Sequence, residues 1–242
     1  MTLELPETGD CVFCAIVAGN TEARWEVRPD ESRRGPGASN SAVACFHNQL
    51  KWARVMLLIV PSVHMTQKEF WSSRVLIDAA DLAVKMGDKH CSDDGYRVIS
   101  NFGRVAHQSQ VHAHMHVVSG ISQQLREASQ KPQDSLTRGS LEVTGDEPDA
   151  GKLALDEYVV DEVPFAAKIS PGNPTSVTQR EFWGSERILD ASYVAQRTGG
   201  RYSPAGFRLM SSFDRAGAAD KKPGNNRASL FLLGGGQLGL YV

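Results

Sequence analysis

The sequence predicts an α+β fold in which an antiparallel sheet with helices is built twice in one chain, as a pseudo-dimer. Two observations carry this reading. First, the chain repeats itself. Thr66-Gln-Lys-Glu-Phe-Trp71 returns as Thr178-Gln-Arg-Glu-Phe-Trp183, and Asp78-Ala79 and Asp190-Ala191 follow at equal distances. Gly95-Tyr-Arg-Val-Ile-Ser-Asn-Phe-Gly-Arg104 then matches Gly206-Phe-Arg-Leu-Met-Ser-Ser-Phe-Asp-Arg215 without a gap, and 114–120 lines up with 229–235. Order and spacing are kept throughout, which chance similarity does not explain. Second, the hydrophobic pattern inside each repeat switches between strand-like and helix-like periods.

Taken in chain order, Val55 to Pro61 is an apolar run that reads as a buried strand. Thr66-x-x-Glu69 is a capping box opening a helix, whose apolar positions 75, 79, 82, 83 and 86 give a face that packs on a sheet. Tyr96 to Asn101 reads as a second buried strand and Val111 to Ser119 as a third. Residues from about 121 to 151 turn polar and rich in turn formers. The expected organisation is a unit at 1–123, a linker at 124–150 and a second unit at 151–242.

Composition narrows the class. The chain has 242 residues, 41% apolar and 22% charged, enough for a real core. A formal net charge of -2 supplies no field that would favour nucleic acid or an anionic membrane. The longest apolar run, Val55 to Val60, falls far short of the roughly 20 residues of a membrane helix. Met1 to Asp10 carries three acidic residues and no basic one, unlike a secretory signal. A cytoplasmic protein is expected, with no membrane or nucleic-acid partner.

The chemistry concentrates at His112-Ala-His114-Met-His116, three of the seven histidines. On a strand, alternate residues share a face, so the three imidazoles stand in a row while Ala113, Met115 and Val117 face the core. Such a row can bind metal, act as acid, base or nucleophile, or contact phosphate. Cys11 and Cys14, two of four cysteines, place two thiols on a tight turn, and His64 follows an apolar strand in Pro61-Ser-Val-His64. Two cysteines and two histidines make a closed tetrahedral zinc site. The Cys pair alone fits a buried or redox pair as well.

CVFCAIVAG, ACFHN, LLIVPSVHM, GYRVISNFG and QSQVHAHMHVVSG occur in an order and near a spacing that resemble the histidine-triad (HIT) superfamily. The resemblance covers about residues 11–120. It implies small α+β units on an antiparallel sheet, paired as homodimers. It implies a structural zinc ion held by Cys11, Cys14, His64 and His112. It makes His114 the nucleophile that takes a nucleotidyl group, and His116 the residue that contacts the phosphate and helps the leaving group depart. Asn48, Asn101, Gln108 and Ser109 match positions that line the substrate pocket.

Some positions depart from that pattern. Met56 stands where many members have another histidine, Arg104-Val-Ala-His107 replaces a glycine-rich approach, and Asn48 replaces an acidic residue near the ribose. His107 is either a further phosphate contact or an exposed loop residue. In the second unit, Arg227, Ser229 and Phe231 stand in place of the triad, Pro171-Gly-Asn-Pro174 lacks the histidine, and no cysteine follows Cys91. That unit is read as degenerate and structural, replacing one partner of a homodimer. Arg215 and Arg227 are either solvated or aimed at a substrate phosphate.

The expected function is a nucleotide hydrolase acting on phosphoramidates or dinucleoside polyphosphates through a nucleotidyl-histidine. The alternatives are a nucleotidyl transferase or phosphorylase resembling galactose-1-phosphate uridylyltransferase, and a non-catalytic nucleotide-binding protein. The transferase pattern ends in glutamine where this chain has His116, which favours hydrolysis. A nucleotide-like substrate is the expected partner, and pseudo-dimers could pair further.

Overall fold

A computed structural model describes residues 11–29, 43–50, 53–121, 137–140, 153–158, 163–172, 177–214 and 228–235. The first half runs α1 (Val12–Val17), β1 (Trp25–Val27), β2 (Val43–His47), β3 (Ala53–Pro61), α2 (Gln67–Trp71), α3 (Val75–Cys91), β4 (Tyr96–Phe102) and β5 (Met115–Ile121). The second runs β6 (Thr137–Ser140), β7 (Leu153–Tyr158), β8 (Ala166–Pro171), α4 (Gln179–Trp183), α5 (Arg187–Tyr202), β9 (Phe207–Phe213) and β10 (Leu230–Gly234). All ten strands join one antiparallel sheet in the order β1-β2-β3-β5-β4-β9-β10-β8-β7-β6. The order is symmetric about the β4–β9 seam, as a duplicated arrangement requires. At that seam Ile99 lies opposite Met210, Asn101 opposite Arg208 and Arg97 opposite Ser212.

Helices α2–α5 cover one face of the sheet, and α1 packs on the other against Phe46, Leu58 and Val60. Leu57, Ile59, Val98, Met115 and Val117 from the first half, and Ile169, Leu209 and Leu232 from the second, join Leu76, Ala79, Ala83, Ile188 and Ala191 of the long helices in one core. Each capping box forms as expected, with Thr66 accepting from the Glu69 amide and Thr178 from the Glu181 amide. Each opens a helix of only five residues, however, and the long helix starts afresh at Val75 and at Arg187. The single helix expected after Thr66 is therefore two. The reason is burial: Phe70 and Trp71 must both point into the core, and a straight helix cannot also turn the face around Ala79 and Ala83 inward.

The two halves meet through their helices as well. The Trp71 and Trp183 rings meet edge to face at 6.3 Å, and Ser192 donates to the Trp71 carbonyl. Arg180 holds Asp88 through Nε and Nη2 at 2.7–3.0 Å. Gly87 and Gly199, one in each long helix, leave room for Tyr96 and Phe207. A Cβ there would meet those rings at 2.3 and 2.5 Å.

One strand lies inside the stretch expected to be linker. Thr137–Ser140 pairs with β7 at the sheet edge, where β1 sits in the other half. Its composition, Thr-Arg-Gly-Ser, carries no alternation for a pattern to catch. Other residues of 124–150 lie outside the described residues. Among the described residues no helix is long and apolar enough to cross a membrane.

Candidate functional site

The triad lies where β5 enters the sheet. The ladder begins at Met115, later than the strand start expected at Val111. Residues 113 and 114 are held from outside the sheet instead: the Ala113 amide donates to the Met65 carbonyl at 2.8 Å. Gln67 then clamps the His114 backbone on both sides. Its Oε1 accepts from the His114 amide at 3.0 Å and its Nε2 donates to the His114 carbonyl at 3.1 Å. Ser100, which receives the Trp71 indole N–H, donates to the same carbonyl at 3.3 Å. The side chains alternate as the sequence requires. Ala113, Met115 and Val117 are fully buried in the core, and His114 and His116 line the opposite face.

The hydrogen bonds of the triad fix its tautomers, because a carbonyl can only accept. His114 Nδ1 lies 2.9 Å from the His112 carbonyl, so Nδ1 carries the proton and Nε2 keeps its lone pair. Burial pushes the His114 imidazolium pKa down, against the opposing pull of that carbonyl, so the ring is neutral. His116 is pushed well below the ordinary histidine range, first by burial, then by the neighbouring His114 and Arg208 charges. The two rings meet edge to face at 4.9 Å.

His112 stands beside His114 under the same Phe13 ring and faces the cysteines. Its Nε2 donates to the Pro61 carbonyl at 2.9 Å, leaving Nδ1 as a lone-pair donor 3.5 Å from Cys11 Sγ and 3.4 Å from Cys14 Sγ. His64 Nδ1 is 3.3 Å from Cys14 Sγ, and the four ligand atoms lie within 4.8 Å of one another. A tetrahedral zinc ion, with Zn–S of about 2.3 Å and Zn–N of about 2.0 Å, puts S···N edges at roughly 3.5 Å. Donor types and spacing both fit a metal ion. The expected tight turn for the cysteines is instead a helix start: Cys11 caps α1, accepting from the Cys14 amide. The same helix lays Phe13 over the triad, its ring 5.3 Å from that of His114.

Beside the triad opens a cavity of about 980 Å³ whose lining includes Phe13, Asn48, Met56, Ser109, His114 and His116. Of the residues expected at the substrate, Asn48 and Ser109 therefore reach it. Gln108 turns its amide onto its own loop, accepting from Gly103 and donating to the Gln110 carbonyl. Asn101 is 2% exposed and sits on the triad face of β4, where Arg208 Nε donates to its Oδ1 at 2.9 Å. Met56 packs against Ile99 and Val118, so that corner is apolar. Arg104-Val-Ala106 forms one 3-10 turn that ends at His107, which adopts a left-handed backbone (φ 62°) and lines the cavity. Arg215 and Arg227 lie outside the described residues.

Two features escaped sequence reasoning. Gln67 sits inside the repeated hexapeptide, yet a glutamine at the first position of a helix signals nothing by itself. Its repetition at Gln179, where it clamps Ser229 in the same way, was the available clue. The other is a cluster behind the cavity wall. Glu26 meets His47 at 2.8 Å, Lys89 at 2.8 Å and His90 at 2.9 Å. Burial alone would raise the Glu26 carboxyl, but hydrogen bonds from Lys89, His47 and His90 hold it at about 2.

Comparison with known proteins agrees with this geometry. The HIT domain family model matches residues 39–123. Over the whole chain the fold is similar to an ADP-glucose phosphorylase from Arabidopsis thaliana solved with bound ADP-glucose: 12% identity, 97% of this chain and 82% of that one, TM-score 0.60. A galt-like protein from the same organism matches at 11% identity over 96% of this chain and 84% of that one, TM-score 0.60. A HIT family hydrolase from Clostridium thermocellum matches at 25% identity over 48% of this chain and 96% of that one, TM-score 0.40. Residues 39–123, the stretch that carries the triad, are thus similar to the HIT domain family, and the whole chain shares the fold of the two larger proteins.

Proposed function

We propose that this chain is a nucleotide hydrolase that works through a covalent nucleotidyl-histidine on His114. The observation that carries the reading is the tautomer of that ring: Nδ1–H is spent on the His112 carbonyl, and Nε2 remains as a neutral nucleophile beside a large cavity. In the first step the Nε2 lone pair forms an N–P bond, and the bond from phosphorus to the leaving oxygen or nitrogen breaks. His116, a neutral ring, hydrogen-bonds the phosphoryl and departing groups, and the departing group takes its proton from solvent. In the second step water attacks phosphorus, the N–P bond breaks, and the proton of the water is released to solvent. Two displacements replace one harder one. Gln67 and Ser100 keep His114 in place during both. Ser109 and Asn48 are positioned to donate to the phosphoryl and sugar oxygens.

Cys11, Cys14, His64 and His112 would hold a zinc ion. With four protein ligands that ion would be structural, tying α1 to the triad strand. The first unit would be the working one, 1–123, and 151–242 a degenerate repeat that completes the sheet.

The second reading is transfer of the nucleotidyl group to a phosphate or sugar phosphate in place of water. The whole-chain likeness to a phosphorylase solved with ADP-glucose favours it, and His116 favours hydrolysis. Incubation with nucleoside phosphoramidates, dinucleoside polyphosphates and nucleotide sugars, a quench in base, and mass spectrometry separates the two. A nucleotidyl adduct on His114, absent in His114→Ala, supports covalent catalysis. Release to water or to added phosphate decides between hydrolase and transferase. No adduct and no product across the panel would refute both and leave a nucleotide-binding protein.

A further inference from the structure

We infer that Arg208, a residue of the non-catalytic half, is a positioning residue for the triad and acts by holding Asn101 against it across the β4–β9 seam. Asn101 is on the face of β4 that carries Ile99, and Ile99 lies opposite His116. Continuing that register by one alternation places Asn101 beside His114. On its other side is Arg208, opposite it in the ladder, with Nε donating to Asn101 Oδ1 at 2.9 Å. Both residues are buried, at 2% and 3% exposure. The oxygen of the amide is thereby engaged, which fixes its rotamer and directs the NH2 group away from Arg208.

The internal symmetry gives a control that nature has already made. Arg97 is the counterpart of Arg208, and Ser212 the counterpart of Asn101. The mirror pair, Arg97 opposite Ser212, therefore lacks the amide, and Ser212 is exposed. The Arg–Asn pair exists only on the side of the seam that has a triad. A guanidinium is costly to bury, so its burial needs compensation from specific partners. The charge of Arg208 is also felt at His116.

This role presupposes the reaction proposed above for its effect on rate, and a second readout stands apart from it. In full-length protein, Arg208→Met, Asn101→Ala and the double variant would be compared for kcat, KM and the rate of His114 adduct formation. The expected result is a fall in kcat of roughly tenfold to a hundredfold for each single variant, with KM nearly unchanged. The double variant should be no slower than either single one, and Arg208→Lys should recover part of the loss. Histidine-ring NMR needs no substrate: both single variants should shift the same His114 and His116 signals, in the same direction. Losses that multiply in the double variant, or ring signals that stay in place in folded Arg208→Lys and Arg208→Met proteins, would overturn the role. A wild-type protein that forms no adduct would sink the proposed reaction, while the ring signals still decide whether Arg208 acts on the triad. Should Arg208→Met fail to fold, Arg208→Lys and Asn101→Ala carry both readouts.

Discussion

Replacing Gln67 by leucine removes the clamp on His114 and tests the logic of the site. The side chain makes two hydrogen bonds, one to the His114 amide and one to its carbonyl. The carbonyl keeps Ser100, so the variant leaves one buried amide without its clamp and weakens one acceptor. An orphaned buried donor costs about 1–3 kcal/mol and a lost hydrogen bond about 1 more, so destabilisation should be about 2–4 kcal/mol. For a chain of this size that lowers Tm by roughly 5–15 °C. Gln179→Leu is the matched control. Gln179 makes the same two bonds to Ser229, whose carbonyl keeps Ser211, and no triad is present there. Both variants should lose similar stability by thermal melting. At a temperature where both remain folded, only Gln67→Leu should lose rate, on the order of a hundredfold if the imidazole moves by an ångström. Equal loss of rate in the two variants, or no loss of stability in either, would refute the clamp.

Three further outcomes follow from the same structure. Glu26 is held at about 2 when folded against an ordinary value of 4.5, so its contribution is fully present above pH 4.5 and is lost as pH falls toward 2. Urea melts of Glu26→Gln should therefore show a flatter acid limb in that window, by about 2–3 kcal/mol, and an unchanged limb would count against the cluster. If Cys11, Cys14, His64 and His112 hold zinc, metal analysis should give one ion per chain, and Cys14→Ser or a strong chelator should remove it and lower Tm. Full occupancy in Cys14→Ser would overturn the ligand set. Gly87→Ala should destabilise despite alanine's better helix propensity, because its Cβ would meet the Tyr96 ring at 2.3 Å. A loss of about 1–3 kcal/mol by denaturant melting is expected, and a gain would mean the seam can shift to accept a methyl group.

Much of this site was legible because its residues repeat or alternate. The His-x-His-x-His run sets three side chains on one face whatever surrounds it, and the repeated capping boxes fix two helix starts. The cluster of Cys11, Cys14, His64 and His112 was legible because few side-chain types can bind a metal ion. What was not legible depends on contacts made across the chain. Gln67 matters only because α2 delivers it to His114, and Arg208 only because β9 lies beside β4. The split of each helix into a short and a long piece follows from competing burial demands, which no local pattern encodes. Glu26, His47, Lys89 and His90 come from four separate stretches with nothing in common until the chain folds.

The β4–β9 seam also bears on how the chain is made. Its partners are Tyr96–Phe102 and Phe207–Phe213, so β4 waits for more than a hundred intervening residues before its neighbour exists. At synthesis rates of about 5–20 residues per second, that is a wait of roughly 5–20 seconds. Throughout that interval β4 is paired with β5 on one side only and presents an open edge along Val98, Ile99 and Phe102, all buried in the finished protein. Such an edge is a template for pairing with another nascent chain. Slow decoding between the halves would lengthen that exposure, and a ribosome-associated chaperone acting on the emerging first half would be expected to raise the yield of soluble protein.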